Sequence, residues 1–193
     1  MAELVRRFLF FIIFTVGCMG FCAGCTWFAP EETELSVYDP EVLQQIELPS
    51  QVALQVLPFV NSSPGYKKIM LRTGKQMVTA DEFHQWAQTP AQLLTHYLRS
   101  VFLSHADLSA GPIKNWVLTG DILTFEGNIM TQEAVLSVRC TLTCGEDVID
   151  MPVTLKEPFP EKEGLSDWEK TAEAMQKAMQ NLAGQIAGRL NSK

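Results

Sequence analysis

Residues 136–155 read LSVRCTLTCGEDVIDMPVTL, and this stretch decides the predicted fold. Apolar and polar residues alternate along its first half, and the alternation resumes after the turn at Gly145-Glu146. The apolar positions are Leu136, Val138, Cys140, Leu142, Cys144, Ile149, Met151, Val153 and Leu155. Because successive side chains of a strand point to opposite faces, the pattern predicts two antiparallel strands with one buried face and one solvated face.

Two segments with helical periodicity flank this hairpin and predict the layer that covers its buried face. The first begins at Thr89-Pro90-Ala91-Gln92 and the second at Ser166-Asp167-Trp168-Glu169, and both openings match a capping box. Apolar residues then recur every three or four positions, at Leu93, Leu94, Tyr97, Leu98, Val101 and Phe102, and at Leu165, Trp168, Ala172, Met175, Met179, Leu182 and Ile186. We interpret the second stripe as part of the core. The alternative is a helix that also contacts a partner, because methionines adapt to irregular surfaces.

Other segments predict further strands around the hairpin. Val52 to Phe59 is typical of a buried strand, Lys68 to Thr73 and Gln76 to Thr79 indicate a short hairpin around Gly74, and Trp116 to Phe125 follows the first helix. The predicted fold is α+β, with an antiparallel or mixed sheet and two helices packed on one face. We expect residues 51–193 to form one domain.

The N-terminus has the three parts of an export signal. Arg6 and Arg7 carry positive charge, residues 8–16 form an uninterrupted apolar run, and residues 17–24 are rich in small residues and cysteine. An uncleaved membrane helix is the alternative, because residues 8–25 approach the roughly 20 apolar residues that a span needs. We predict a lipoprotein signal peptide at residues 1–24 and a lipidated tether at residues 25–50.

The segment Cys22-Ala23-Gly24-Cys25 resembles the lipobox of bacterial lipoproteins, in which a cysteine is acylated and becomes the mature N-terminus. Thr15-Val16-Gly17-Cys18 is a weaker second candidate, and an ordinary signal peptide with incidental cysteines is the alternative to both. Lipoproteins of this kind without Asp after the cysteine are sorted to the outer membrane, and Thr26 stands there. The resemblance therefore implies an outer-membrane anchor at Cys25 and a domain that faces the periplasm.

The charge argues against nucleic acid as a partner. The chain has 15 basic and 22 acidic residues and a net charge of −7. Without residues 1–24, 13 basic and 21 acidic residues remain, a net charge of −8. An acidic domain lacks the positive footprint of nucleic-acid binding, and it is not drawn to anionic lipid, so contact with a membrane must depend on the lipid anchor.

The sequence contains no recognisable constellation for catalysis, metal binding or a cofactor. Cys140 and Cys144 would lie about 13 Å apart on one strand, beyond the roughly 7 Å that a disulfide allows, so we expect both to be small apolar core residues. His84, His96 and His105 are far apart, and the Gly-x-Ser-x-Gly pattern of hydrolases is absent. We therefore predict a protein that is not an enzyme.

One region resembles a known family. The residues that carry the resemblance are Leu71-Arg72, Val78, His84-Gln85-Trp86-Ala87, Leu93-Leu94 and Leu98, and they resemble the ABC-type transport auxiliary lipoprotein family. The resemblance implies a non-enzymatic component of an intermembrane lipid transport system, with an MCE-domain protein and ABC transporter components as partners. Trp86 and Arg72 are the candidate docking residues, since aromatic residues and arginine dominate interface energies. The alternative for Trp86 is that it covers the start of the first helix.

Other functions stay open at this point. The chain could be a free-standing carrier or assembly factor for envelope lipids or lipoproteins, which would need an apolar cavity. It could also be a structural interaction lipoprotein, such as a pilotin of a secretion apparatus, or a hydrolase whose site is assembled from distant residues. A homo-oligomer is a further candidate assembly.

Overall fold

The computed structural model of the protein describes residues 34–80, 82–103 and 111–192. The predicted signal peptide, Cys25 and His105 lie outside these residues. Leu35 onward forms one compact unit. Its strands are β1 (Ser36–Tyr38), β2 (Ile46–Glu47), β3 (Val52–Val56), β4 (Val60–Asn61), β5 (Leu71–Arg72), β6 (Val78–Thr79), β7 (His84–Trp86), β8 (Phe102–Leu103), β9 (Lys114–Asn128), β10 (Glu133–Cys144) and β11 (Asp147–Pro158). Its helices are α1 (Pro90–Val101) and α2 (Asp167–Asn191).

The main sheet is mixed and is built around β9. β10 pairs antiparallel with β9 on one side and with β11 on the other, and the Gly145 turn between β10 and β11 takes a positive φ of 59°. The other edge of β9 receives β3, β4 and β5 in parallel, and β6 adds an antiparallel strand to β5. The predicted hairpin is confirmed, because Leu136, Cys140 and Leu142 are fully buried while their neighbours face outward.

Both predicted helices are confirmed, and both begin at the predicted capping boxes. In α1 the Gln92 amide donates to Thr89 Oγ1, and in α2 the Glu169 amide donates to Ser166 Oγ. α2 packs across β9, β10 and β11, while α1 packs on β3 and β9 and contacts α2. The stripe of α2 is part of the core, since its apolar residues are fully buried at Met175, Met179, Leu182 and Ile186. The predicted α+β class with two helices on the sheet is therefore correct.

The two cysteines of the hairpin differ in exposure. Cys140 is buried, Cys144 is half-buried, and neither forms a disulfide. Burial raises the pKa of the Cys140 thiol to about 12, because the thiolate would lose its hydration. Cys140 therefore behaves as a small apolar side chain, as the sequence predicts.

The compact unit begins earlier than the predicted domain boundary at residue 51. β1 pairs in parallel with β7, β2 pairs in parallel with β8, and Leu48 is buried in the core. Residues 35–50, which the sequence assigned to the tether, are thus part of the folded unit. Strands of two or three residues are too short to show alternation, so composition alone made this segment look like a linker. In the part of the chain described, we find no helix with the length and hydropathy that a bilayer crossing requires.

Candidate partner-docking site

The predicted docking residue Trp86 lies on a small sheet that we call the ribbon, formed by β1, β7 and residues 67–69. β1 lies on one side of β7, with Val37 opposite Gln85 and Tyr38 opposite Trp86. On the other side, the Trp86 amide donates to the Lys67 carbonyl at 2.7 Å, and Lys68 forms a bridge with Gln85. The ribbon therefore has two faces, one carrying Trp86 and the other carrying Val37 and Gln85.

The inner face of the ribbon is part of the core. Only 1% of Trp86 is exposed, and its ring packs edge-on against Phe125 of β9 at 5.2 Å and against Tyr38 at 6.5 Å. The indole Nε1 finds no hydrogen-bond partner among the described residues. Trp86 is therefore a core residue that packs on β9 and β1, and almost none of its side chain is exposed to a partner.

A stack of rings joins the ribbon to the start of α2. His84 lies parallel to Trp168, with ring centroids 5.0 Å apart and an angle of 11° between the planes. Tyr38 stacks on His84 at 6.3 Å. His84 is therefore committed to ring stacking, and no group of three or more metal-binding side chains forms among the residues described.

Arg72, the second predicted docking residue, forms an ion pair with Glu126 of β9. Its Nη2 donates to Glu126 Oε2 at 2.9 Å, and its Nε donates to the other carboxylate oxygen. The hydrogen bond to Glu126 raises the pKa of Arg72, and the Glu126 side chain is only 8% exposed. Because a buried carboxylate needs a paired cation, we assign Arg72 mainly to neutralising Glu126. Arg72 belongs to β5, and 31% of its side chain is exposed at the surface.

The outer face of the ribbon exposes apolar side chains that the sequence analysis did not select. Leu35, Val37 and Phe83 are 57%, 55% and 41% exposed, and the Ser36 amide donates to the Phe83 carbonyl at 2.7 Å. We call these three residues the outer ribbon face. Lys68 and Glu82 form a 3.8 Å ion pair in the two segments next to it. Leu35 and Val37 stand two positions apart, but a strand as short as β1 shows no alternation that would have distinguished this face in the sequence.

Two clefts open on the surface, and one of them borders Val37 of the outer ribbon face. One, of about 360 Å³, lies between Pro58-Phe59 and α1 and is lined by apolar and polar side chains, among them Phe59, His96 and Arg99. The other, of about 320 Å³, lies between residues 37–41 and α2. In the first cleft the Thr95 hydroxyl accepts a hydrogen bond from the Phe59 amide at 2.9 Å and donates one to the Ala91 carbonyl at 2.6 Å. Both bonds hold this hydroxyl on the backbone.

Comparison with known proteins places this fold in a family. Residues 65–187 match the family described as the ABC-type transport auxiliary lipoprotein component. A crystal structure of an uncharacterized protein aligns with a TM-score of 0.59 and 17% identity, over 81% of this chain and 99% of that one. Protein XCC0632 from Xanthomonas campestris aligns with a TM-score of 0.56 at the same identity and coverage.

Those two likenesses show the fold alone, and no curated protein sequence matches the chain. The family match spans β5 to most of α2 and so covers the ribbon's central strand, both helices and the antiparallel part of the sheet. It covers more than half of the sequence and includes every segment that carried the resemblance seen in the sequence. The chain therefore belongs to the family of ABC-type transport auxiliary lipoprotein components.

Proposed function

We propose that this chain is a non-enzymatic auxiliary component of an ABC/MCE-type intermembrane lipid transport system. In this proposal Cys25 is acylated and anchors the chain in the outer membrane, and the folded unit faces the periplasm. There it contacts an MCE-domain protein that works with an ABC transporter. The match of residues 65–187 to the transport auxiliary lipoprotein family is the observation that carries the proposal.

The filled core favours docking over the carriage of lipid. The space between sheet and helices is occupied by fully buried side chains, among them Leu94, Leu118, Met175 and Leu182. A lipid carrier would need an apolar cavity that encloses most of its ligand. The two clefts described above are instead open to solvent, and neither encloses a ligand-sized volume. We therefore rank the free-standing carrier below the transport component.

The same clefts lend little support to a hydrolase. The cleft beside α1 is lined by a histidine, His96, and by a hydroxyl group, that of Thr95. Hydrogen bonds to two backbone groups hold the Thr95 hydroxyl in place. A nucleophile needs a base within hydrogen-bond reach and freedom to attack. An interaction role is the better account of this surface.

The early start of the folded unit shortens the tether that we propose. With the signal peptide removed, residues 25–34 would connect the acylated Cys25 to Leu35, where the compact unit begins. A tether of this length would hold the folded unit close to the membrane surface rather than far into the periplasm.

The test is purification of the full chain, with a C-terminal tag, from detergent-extracted membranes of its native cell. We expect mass spectrometry to find acyl groups on Cys25, and an MCE-domain protein to copurify. Cys25→Ser should abolish acylation and the cleavage before residue 25, whereas the matched control Cys18→Ser should leave both unchanged. An unacylated, freely dissolved wild-type chain without transporter components would disprove the proposal.

A further inference from the structure

We propose that the outer ribbon face, Leu35, Val37 and Phe83, rests on the surface of the bilayer that holds the anchor. The proposal builds on the lipid anchor of the proposed function and adds a second point of contact. The folded unit would touch lipid with a defined face rather than tumble freely at the end of its tether.

The position of this face in the chain supports the proposal. Leu35 belongs to the outer ribbon face and is also the first residue of the compact unit. It follows Cys25 by ten positions, and a chain of that length spans at most roughly 36 Å when fully extended. An anchor at Cys25 therefore keeps this face, more than any part of the unit remote from Leu35, within reach of the bilayer.

The exposed side chains also suit a lipid surface. Leu35, Val37 and Phe83 are large apolar residues, each at least 41% exposed, on one face of one small sheet. Contiguous exposed apolar residues mark interaction sites, whereas apolar residues scattered singly on a surface are ordinary. The sequence also places Trp27 and Phe28 just after Cys25, and aromatic residues of this kind favour the headgroup region of a bilayer.

The charges near the face favour a zwitterionic lipid. Lys68 and Glu82 form an ion pair, and the exposed Glu34 stands next to Leu35, so these neighbours carry no excess of positive charge. Without residues 1–24 the chain has 13 basic and 21 acidic residues, and this net charge of −8 would oppose binding to an anionic surface. A phosphatidylethanolamine surface, into which apolar side chains insert between neutral headgroups, is therefore the occupant that we infer.

Two valines of similar exposure make a matched pair for the test. Val37 lies in the outer ribbon face and is 55% exposed, and Val148 lies on β11 and is 60% exposed. Each would be changed to cysteine in a full-length lipoprotein carrying Cys144→Ser, and then labelled with an environment-sensitive fluorophore. Cys140 would stay unlabelled at neutral pH, because it is buried and its pKa is raised to about 12. The acylated protein is then reconstituted into vesicles of phosphatidylethanolamine and phosphatidylcholine.

We expect quenchers attached to the lipid chains to quench the label at position 37 at least threefold more strongly than the label at position 148. Equal quenching at the two positions in acylated protein would overturn the proposal while leaving the anchor intact. The proposal would also be overturned if the fluorescence of the label at position 37 depended on the density of protein in the vesicles and not on the lipid quencher. That result would identify a second copy of the chain as the occupant. Acyl analysis of the same samples reports separately on the proposed anchor.

Discussion

The β10–β11 hairpin and the ribbon achieve strand pairing in opposite ways. β10 and β11 pair along twelve positions on either side of the Gly145-Glu146 turn, so a local turn fixes their register. β1 and β7 pair at only three positions and come from distant parts of the chain. Closing a long loop carries a larger entropy loss, and a pairing this short contributes few hydrogen bonds to offset it. The comparison indicates that side-chain contacts outside the ribbon must hold it in place.

Those contacts come from the core and from α2. Trp86 and Tyr38 pack inward on the sheet, and Trp168 of α2 stacks on His84. Residues 39–48, which follow β1 and which we call the strap, are hydrogen-bonded to the polar side of α2. In the strap, Gln176 Nε2 donates to the Glu41 carbonyl at 2.8 Å and Gln180 Nε2 donates to the Gln44 carbonyl at 2.8 Å.

The strongest test of this comparison removes one buried indole from each region. Trp86 of the ribbon and Trp116 of β9 are both 1% exposed, and neither Nε1 has a partner among the described residues. We expect Trp86→Ala and Trp116→Ala each to lower the free energy of unfolding by about 3–5 kcal/mol, because both leave a cavity. Urea denaturation measures both losses, provided that the m-value is the same in each variant. Trp86→Phe should lower the free energy of unfolding much less than Trp86→Ala.

A small loss of stability for Trp86→Ala, beside a full loss for Trp116→Ala, would show that the ribbon is not part of the cooperative unit. In that case Trp86 would again become a candidate for contact with a partner. A loss of similar size in both variants would establish the indole as a core element in each region.

The same contrast explains what the sequence could predict. The hairpin and both helices are coded locally, by period-two alternation and by capping boxes that lie within four residues. The ribbon has no such code, because the three residues of β1 find their partners on β7 only in the folded chain. Parallel pairing of β3, β4 and β5 with β9 was equally invisible, so the sheet could be predicted only as antiparallel or mixed.

The candidate site shows the same limit. The resemblance selected Trp86 and Arg72 as docking candidates, but it could not tell which way each side chain points. The partner of Arg72, Glu126, is 54 positions away and gave no sign in the sequence that it would be buried. The outer ribbon face was missed for a related reason, since Leu35 and Val37 become a surface only when β7 is placed beside β1.

The strap offers a test of intermediate size. Gln180 also accepts from the Tyr97 hydroxyl at 2.7 Å, so Gln180→Ala removes a junction between α1, α2 and the strap. We expect a loss of about 1–2 kcal/mol, together with faster amide hydrogen exchange in residues 39–48 than elsewhere. Gln185→Ala, at an exposed position of the same helix, is the control and should change stability by less than about 0.5 kcal/mol. Uniform acceleration across the unit would contradict a local role of the strap.

The smallest expected effect concerns the cap of α2, which carries the Trp168 ring that stacks on the ribbon. Hydrogen bonds from the Ser166 amide and hydroxyl lower the pKa of Glu169, and the nearby His84 adds a smaller effect in the same direction. Because the pKa is lower in the folded state, the stabilisation is fully present above the unfolded value of about 4.3 and is lost as the pH falls through the folded value.

We expect Glu169→Gln to lower the free energy of unfolding by up to about 1 kcal/mol at pH 7, and this difference from the wild type to shrink as the pH falls below about 4. Thermal or urea unfolding at several pH values measures it, with Glu163→Gln in the loop before α2 as the control. If the difference stayed constant down to pH 3, the ionised carboxylate would not be the capping group. The cap would then contribute to the link between α2 and the ribbon only through the packing of Trp168 on His84.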